Sequence, residues 1–260
     1  VPAFQSGDVI VGGGIGRCDV LHSDGSHVGY LSVLDAGGAR LRVNGIDFLP
    51  NGDPVICGGD PSFAVGDNPL DVRFDRKRNS LAMLVAQLDD SLEVWCLNLD
   101  GTLIEKQPGL AVGAWVHTSK AWLAVDCGGT MYYTVGDDTV RTWDLDGATQ
   151  GPDFVTVASP YIAAAIDVTK GGNLVVAKSL SGVGPQQAVA VSSPTHVWTD
   201  QLNETPVKVY KRLISDLSDV LSHTVSLDPD DTGATDVPVT ALGSYFSPCG
   251  GLKTVLVGSI

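Results

Sequence analysis

HTSKAWLAVDCGGTMYYTVGDDTVRTWDLDG, residues 117–147, is the stretch whose reading decides the fold. It holds three apolar runs, Ala121 to Val125, Met131 to Val135 and Val140 to Leu145, separated by a Gly-Gly and an Asp-Asp turn and closed by Asp146-Gly147. Short apolar runs punctuated by two-residue turns of this chemistry predict a three-strand meander, with a fourth strand after the last turn.

Weaker copies run outward in both directions. Upstream, DVIVGGG and RCDVLHSDGSHVGYL predict strands with a hairpin at Asp24-Gly25, and VNGIDFLPNGDPVICGG predicts a pair about Asn51-Gly52. LDVRFDRKRNSLAMLVAQLDDSLEVWCLNLDGTLIEK then alternates strand and turn four times, and downstream YIAAAIDVTKGGNLVVAKS and VTALGSYFSPCGGLKTVLVG each give one more strand pair. VKVYKRL, 207–213, aligns with LEVWCLN and VRTWDLD as a third strand, although residues 205–223 also carry a helix cap and helical spacing; strand is the reading favoured here. Residues around 181–205 are poorly patterned and are expected to be a less regular insertion. First-hairpin glycines at 7, 52, 129, 172 and 251 set a repeat averaging about 41 residues, which suits four short strands per unit. The expected architecture is a single all-β domain over 1–260, a β-propeller of about six four-stranded blades. Five or seven blades also fit. Terminal strands would pair to shut the ring and remove its exposed edges.

Composition agrees. Only Glu93, Glu105 and Glu204 are glutamates among 30 acidic residues, which leaves 27 aspartates beside 31 glycines. Asp and Gly are turn residues, whereas glutamate and lysine, the helix formers, are scarce. A net charge of −14 argues against nucleic acid or an anionic membrane as partner, because both require clustered bases to neutralise phosphate. The best basic patch, Arg73 to Arg78, reads as a solvated turn. Five scattered cysteines without a CxxC read as small buried hydrophobes, with disulfides left open. No apolar run is long enough to span a bilayer, and VPAFQSGD has none of the regions of a signal peptide. The localisation is left open, with a virion or extracellular surface favoured.

Here a family likeness enters. DDTVRTWDLDG resembles the third strand and turn of a WD-repeat propeller blade, and IDFLPNGDPVICGGD and YFSPCGGLKTVLVGS resemble the first two strands of one. The resemblance implies that His117, Thr134, Asp137 and Trp143 form a structural hydrogen-bonded set. Elsewhere the pattern departs: Trp95 is followed by Cys96, and Tyr210 stands in the tryptophan position. Streptogramin-lyase-like propellers are another group of this architecture.

Chemistry is sparse. The glycines at 12, 13, 14 and 16 lead into a strand pattern, so no helix terminus follows to hold a phosphate. No HExxH, GxSxG or Walker loop occurs, and the histidines at 22, 27, 117, 196 and 223 are dispersed. No catalytic residue and no cofactor is assigned. Asp228, Asp230, Thr232 and Asp236 follow the alternating oxygen spacing of a calcium loop, but Val239 stands where its bidentate glutamate would be. Trp115, Trp122, Trp198, Tyr161 and Tyr245 would make a sugar platform if gathered on one face; core positions are the simpler reading. The expected function is a non-enzymatic binding or assembly module with protein partners, a structural or adhesion subunit of a virion tail or surface assembly. A secreted lectin recognising cell-surface glycan and a channel-sited lyase or hydrolase are the alternatives.

Overall fold

The computed structural model describes residues 9–13, 17–22, 24–32, 38, 42–59, 67–116, 119–169, 173–180, 189–193, 195–200, 208–215, 219–224, 239–244 and 256–259. In chain order the strands are β1 Val9–Gly13, β2 Arg17–Leu21 and β3 His27–Ser32, then β4 Arg42–Phe48 and β5 Pro54–Gly59. Next come β6 Asn68–Asp75, β7 Ser80–Ala86, β8 Leu92–Leu97 and β9 Leu103–Pro108, followed by β10 Trp122–Val125, β11 Thr130–Thr134, β12 Thr139–Asp144 and β13 Thr149–Thr156. The chain continues with β14 Tyr161–Val168, β15 Leu174–Leu180, β16 Val189–Ser193, β17 His196–Asp200, β18 Lys208–Leu213, β19 Asp219–Thr224, β20 Val239–Ser244 and β21 Leu256–Ser259.

Four of the sheets are four-stranded and antiparallel: β20-β1-β2-β3, β6-β7-β8-β9, β10-β11-β12-β13 and β16-β17-β18-β19. β4-β5 is a two-stranded sheet, and β14-β15 gains β21 as a third strand. This all-β build is consistent with a propeller. The meander expected from residues 117–147 is β10 to β12, with β13 after the Asp146-Gly147 turn. Lys208–Leu213 and Asp219–Thr224 are strands, as favoured, and β18 is the third strand of its sheet, like β8 and β12.

The even 41-residue repeat is corrected. First strands begin at residues 42, 68, 122, 161, 189 and 239, an uneven series, because two of the units are short hairpins. Within the stretch expected as a less regular insertion around 181–205, the described residues form β16 and β17, which pair with each other, and β17 pairs with β18. β1 pairs with β20 from near the far end of the chain, whereas the last strand, β21, lies parallel on β15.

The aspartate excess is turn chemistry. At Asp24, Asp89, Asp100, Asp137 and Asp144 the carboxylate accepts the backbone N–H two residues on, which closes the hairpin locally. Glycines at 25, 52, 101 and 129 hold the left-handed conformation those turns require.

Among the described residues, core side chains gather in five clusters between the sheets. The largest lies between β6–β9 and β10–β13 and includes Leu84, Val94, Leu123, Met131, Tyr133 and Trp143. The first strands touch in succession: β20 with β4, β4 with β6, β6 with β10, β10 with β14, β14 with β16, and β16 with β20. Two glycines permit the closest of these approaches. A Cβ on Gly45 would sit 2.7 Å from the Asp71 Cα, and one on Gly243 would sit 2.9 Å from the Ile46 carbonyl oxygen. Cys18, Cys57 and Cys96 are buried, as read; Cys127 is disulfide-bonded, a possibility the sequence left open.

Candidate functional site

Two places draw attention, a charged cluster on the first strands and an apolar cleft beside the shortest sheet. The cluster arises from a triplet repeated on three first strands: Ile46-Asp47-Phe48, Leu70-Asp71-Val72 and Ile166-Asp167-Val168. In each, one carboxylate oxygen accepts the N–H of another first strand. Asp47 Oδ2 takes it from Phe74 at 2.6 Å, Asp71 Oδ2 from Leu123 at 3.0 Å, and Asp167 Oδ2 from Val191 at 2.6 Å. Arg73 compensates the charge. Its Nη1 donates to Asp71 at 2.7 Å and to the carbonyls of Ile46 and Val72, and Lys120 Nζ donates to the carbonyls of Asn44 and Leu70.

Burial pushes Asp47 up to about 6, against the opposing pull of Arg73 and of the Phe74 N–H. Burial also raises Asp167, again against Arg73. Desolvation works against the charge on Arg73, but Asp71, Asp167 and Asp47 outweigh it and hold the guanidinium above its ordinary value. The Cys57 thiol is pushed up to about 12 by burial, which keeps it protonated and a poor nucleophile. These groups are engaged in tying strands together. Among the described residues no three His, Cys, Asp or Glu side chains are placed to hold a metal.

The cleft has a different origin. Among the described residues β4 and β5 form a hairpin where neighbouring sheets have four strands, and these two strands face one flank of β6–β9. Between them is a cavity of about 420 Å³, lined by Leu49, Val55 and Ile56 from the hairpin and by Leu81, Met83 and Leu97 from β7 and β8. Asp53 and Asp100 stand in its lining, which has no lysine or arginine. Hydrogen bonds from Thr102 hold the exposed Asp100 carboxyl below its ordinary value, so it stays charged. Among the described residues the outer edge of β5 has no strand partner.

The residues singled out in the sequence stand as follows. Trp143 is buried, and its Nε1 donates to Gln107 Oε1 on β9 at 2.8 Å, across to the preceding sheet. Thr134 Oγ1 donates to the Ala163 carbonyl at 3.0 Å, across to the following one. The Asp137 carboxylate receives Arg141 and the Thr139 N–H. His117 lies outside the described residues, as do Asp228, Asp230, Thr232 and Asp236. Trp115, Trp122 and Trp198 belong to three different core clusters, so they share no face. The basic run is a solvated turn in part, at Arg76 to Asn79 with Lys77 exposed, but two of its arginines are drawn inward. Arg73 is buried, Arg78 reaches the buried Asp75 and the Leu145 carbonyl, and Lys77 pairs with Asp146 on the neighbouring sheet at 2.6 Å. Sequence reading missed the cleft, although one signal was present: VNGIDFLPNGDPVICGG reads as two strands and the PSFAVGDNP that follows reads as loop-like.

No protein-family model matches the chain, and no curated protein matches it. Solved structures are similar to it, three of them as follows. One is a protein of unknown function from Bacteroides caccae, 9% identical, aligned over 91% of this chain and 97% of that one with a TM-score of 0.62, a likeness of fold. Kuenenia stuttgartiensis hydrazine synthase aligns over 70% of this chain and 49% of its own, at 12% identity and a TM-score of 0.40. The beta-propeller domain of Myceliophteria thermophila Cps50 (Swd1) aligns over 60% and 55%, at 14% identity and a TM-score of 0.37.

Proposed function

We propose that this chain is a six-bladed β-propeller, closed through β20 and β1, that works as a non-enzymatic binding and assembly module. In this reading it is a structural or adhesion subunit of a larger complex such as a virion tail or surface assembly. The ring reading is supported by the succession of first-strand contacts, which returns from β16 to β20 and on to β4. The binding reading is carried by one observation, the apolar cleft left open beside the two-stranded sheet. The titratable groups nearest the first strands support the same reading, since their hydrogen bonds are made to backbone groups of neighbouring strands.

The test is native-state fractionation of the protein from its source, by size-exclusion chromatography with light scattering. The expected result is elution in a complex well above 27.1 kDa, with Leu99→Lys at the cleft rim releasing the chain. A chain that runs as a folded monomer in native extract, together with turnover of any substrate that tracks it through purification, would overturn the reading.

A further inference from the structure

We propose that the cleft receives an extended, apolar peptide flanked by lysine or arginine from a partner protein, which adds to the outer edge of β5 as a third strand; this rests on the assembly reading above. Three observations converge on that occupant. The first is the open hydrogen-bonding edge of β5 among the described residues, which an extended chain satisfies with its own backbone.

The second is a precedent within the same molecule. The hairpin β14-β15 is also short, and β21 from far along the chain completes it, with Val175 opposite Leu256 and Lys178 opposite Ser259. A two-stranded unit of this fold thus accepts a foreign strand at its outer edge. The β4-β5 hairpin presents the same edge with an apolar wall beside it, made by Leu81, Met83 and Leu97. Alternate side chains of an added strand would point into that wall.

The third is charge. Asp53 and Asp100 flank the cavity without a base in its lining, and the whole chain carries −14. An acidic rim favours a partner whose apolar segment is bracketed by cations, and it repels a second copy of this chain.

The experiment uses the full chain and a fluorescein-labelled synthetic peptide in which valine alternates with threonine between paired lysines. A control peptide has the same charge, with proline replacing the threonines so that it cannot pair as a strand. Fluorescence anisotropy is expected to show saturable binding of the first peptide and none of the second. Hydrogen exchange is expected to slow in Pro54–Gly59. Leu99→Lys should weaken binding about tenfold or more, and so should the double variant Asp53→Asn with Asp100→Asn, whereas Val220→Lys on a distant strand should not. Asparagine keeps the turn hydrogen bonds, so loss in the double variant reports charge and not unfolding.

Equal binding of both peptides would overturn the proposal in favour of general attraction to an acidic protein. Absence of binding, or self-association through the same residues, would overturn it too. If the native complex persists and still depends on Leu99 while the strand-forming peptide fails to bind, the strand proposal falls and the assembly reading stands.

Discussion

The β6–β9 sheet has two flanks, and they are finished differently. Toward β10–β13 both partners have four strands, and contact continues out to the last of them. Trp143 reaches Gln107 on the fourth strand, Gln107 Nε2 donates to the Leu145 carbonyl at 2.8 Å, and Arg78 and Lys77 engage the turn that follows β12. Toward β4-β5 the partner has two strands among the described residues, and apolar side chains of β7 and β8 line a cavity there. Sealing between packed sheets therefore depends on matched strand number, and a short sheet exposes its neighbour's flank as a ready-made surface.

The largest expected effect lies on the sealed flank. Trp143→Ala should cost about 3–5 kcal/mol of unfolding free energy, because it empties a fully packed site and orphans the Gln107 amide. Urea denaturation checks this, and a loss below about 1 kcal/mol would mean the flank is looser than described. Next in size is Arg78→Met, at about 2 kcal/mol, because the Asp75 carboxylate beneath it has no exposure to solvent and loses its cation. Lys77→Met, which breaks a pair exposed on both sides, should leave the unfolding midpoint unchanged.

A third prediction concerns the covered part of the short flank, where Asp47 joins β4 to β6. Burial raises its carboxyl from 3.8 to about 6, so near pH 5 the folded chain keeps a proton that the unfolded chain has released. Its contribution to stability accordingly falls as the pH rises from about 4 to about 6 and then levels. Asp47→Asn should remove that slope, as seen in denaturation midpoints across this pH range, and should be tolerated at neutral pH. A variant whose pH profile matches the parent would place the titration elsewhere. A small effect is expected at the open rim, where Leu99→Ser should shift stability by no more than about 0.5 kcal/mol. A large loss there would mean the cleft is part of the core.

The meander at 117–147 was legible because its first two turns carry glycine where the backbone takes positive φ, at Gly129 and Gly136, although the closing turn takes it at Ala148; VKVYKRL was placed as a third strand by its match to β8 and β12. The uneven units were not. Gly52 and Gly129 mark true first hairpins, but between them the first turn of β6–β7 is built from Arg76, Lys77, Arg78 and Asn79, with Asn79 supplying the positive φ that a glycine search overlooks. The charged cluster escaped for a similar reason: Asp47, Asp71 and Asp167 sit in apolar strands and look like single polar interruptions until folding sets each against another strand's N–H. Partners chosen by tertiary contact leave no linear motif. Trp143 illustrates the same limit. Its strand and turn were readable, but its hydrogen bond goes to a residue 36 positions earlier.

Native-state hydrogen exchange of β1 and β20, compared with β10–β13, tests the ring most directly. A ring closed by this pairing opens as one unit, so amides of Val9–Gly13 and Val239–Ser244 should exchange only with global unfolding, at rates matching Trp122–Val125 and Thr130–Thr134. Fast exchange in β1 and β20 while β10–β13 stays protected would contradict closure and leave an open row of sheets.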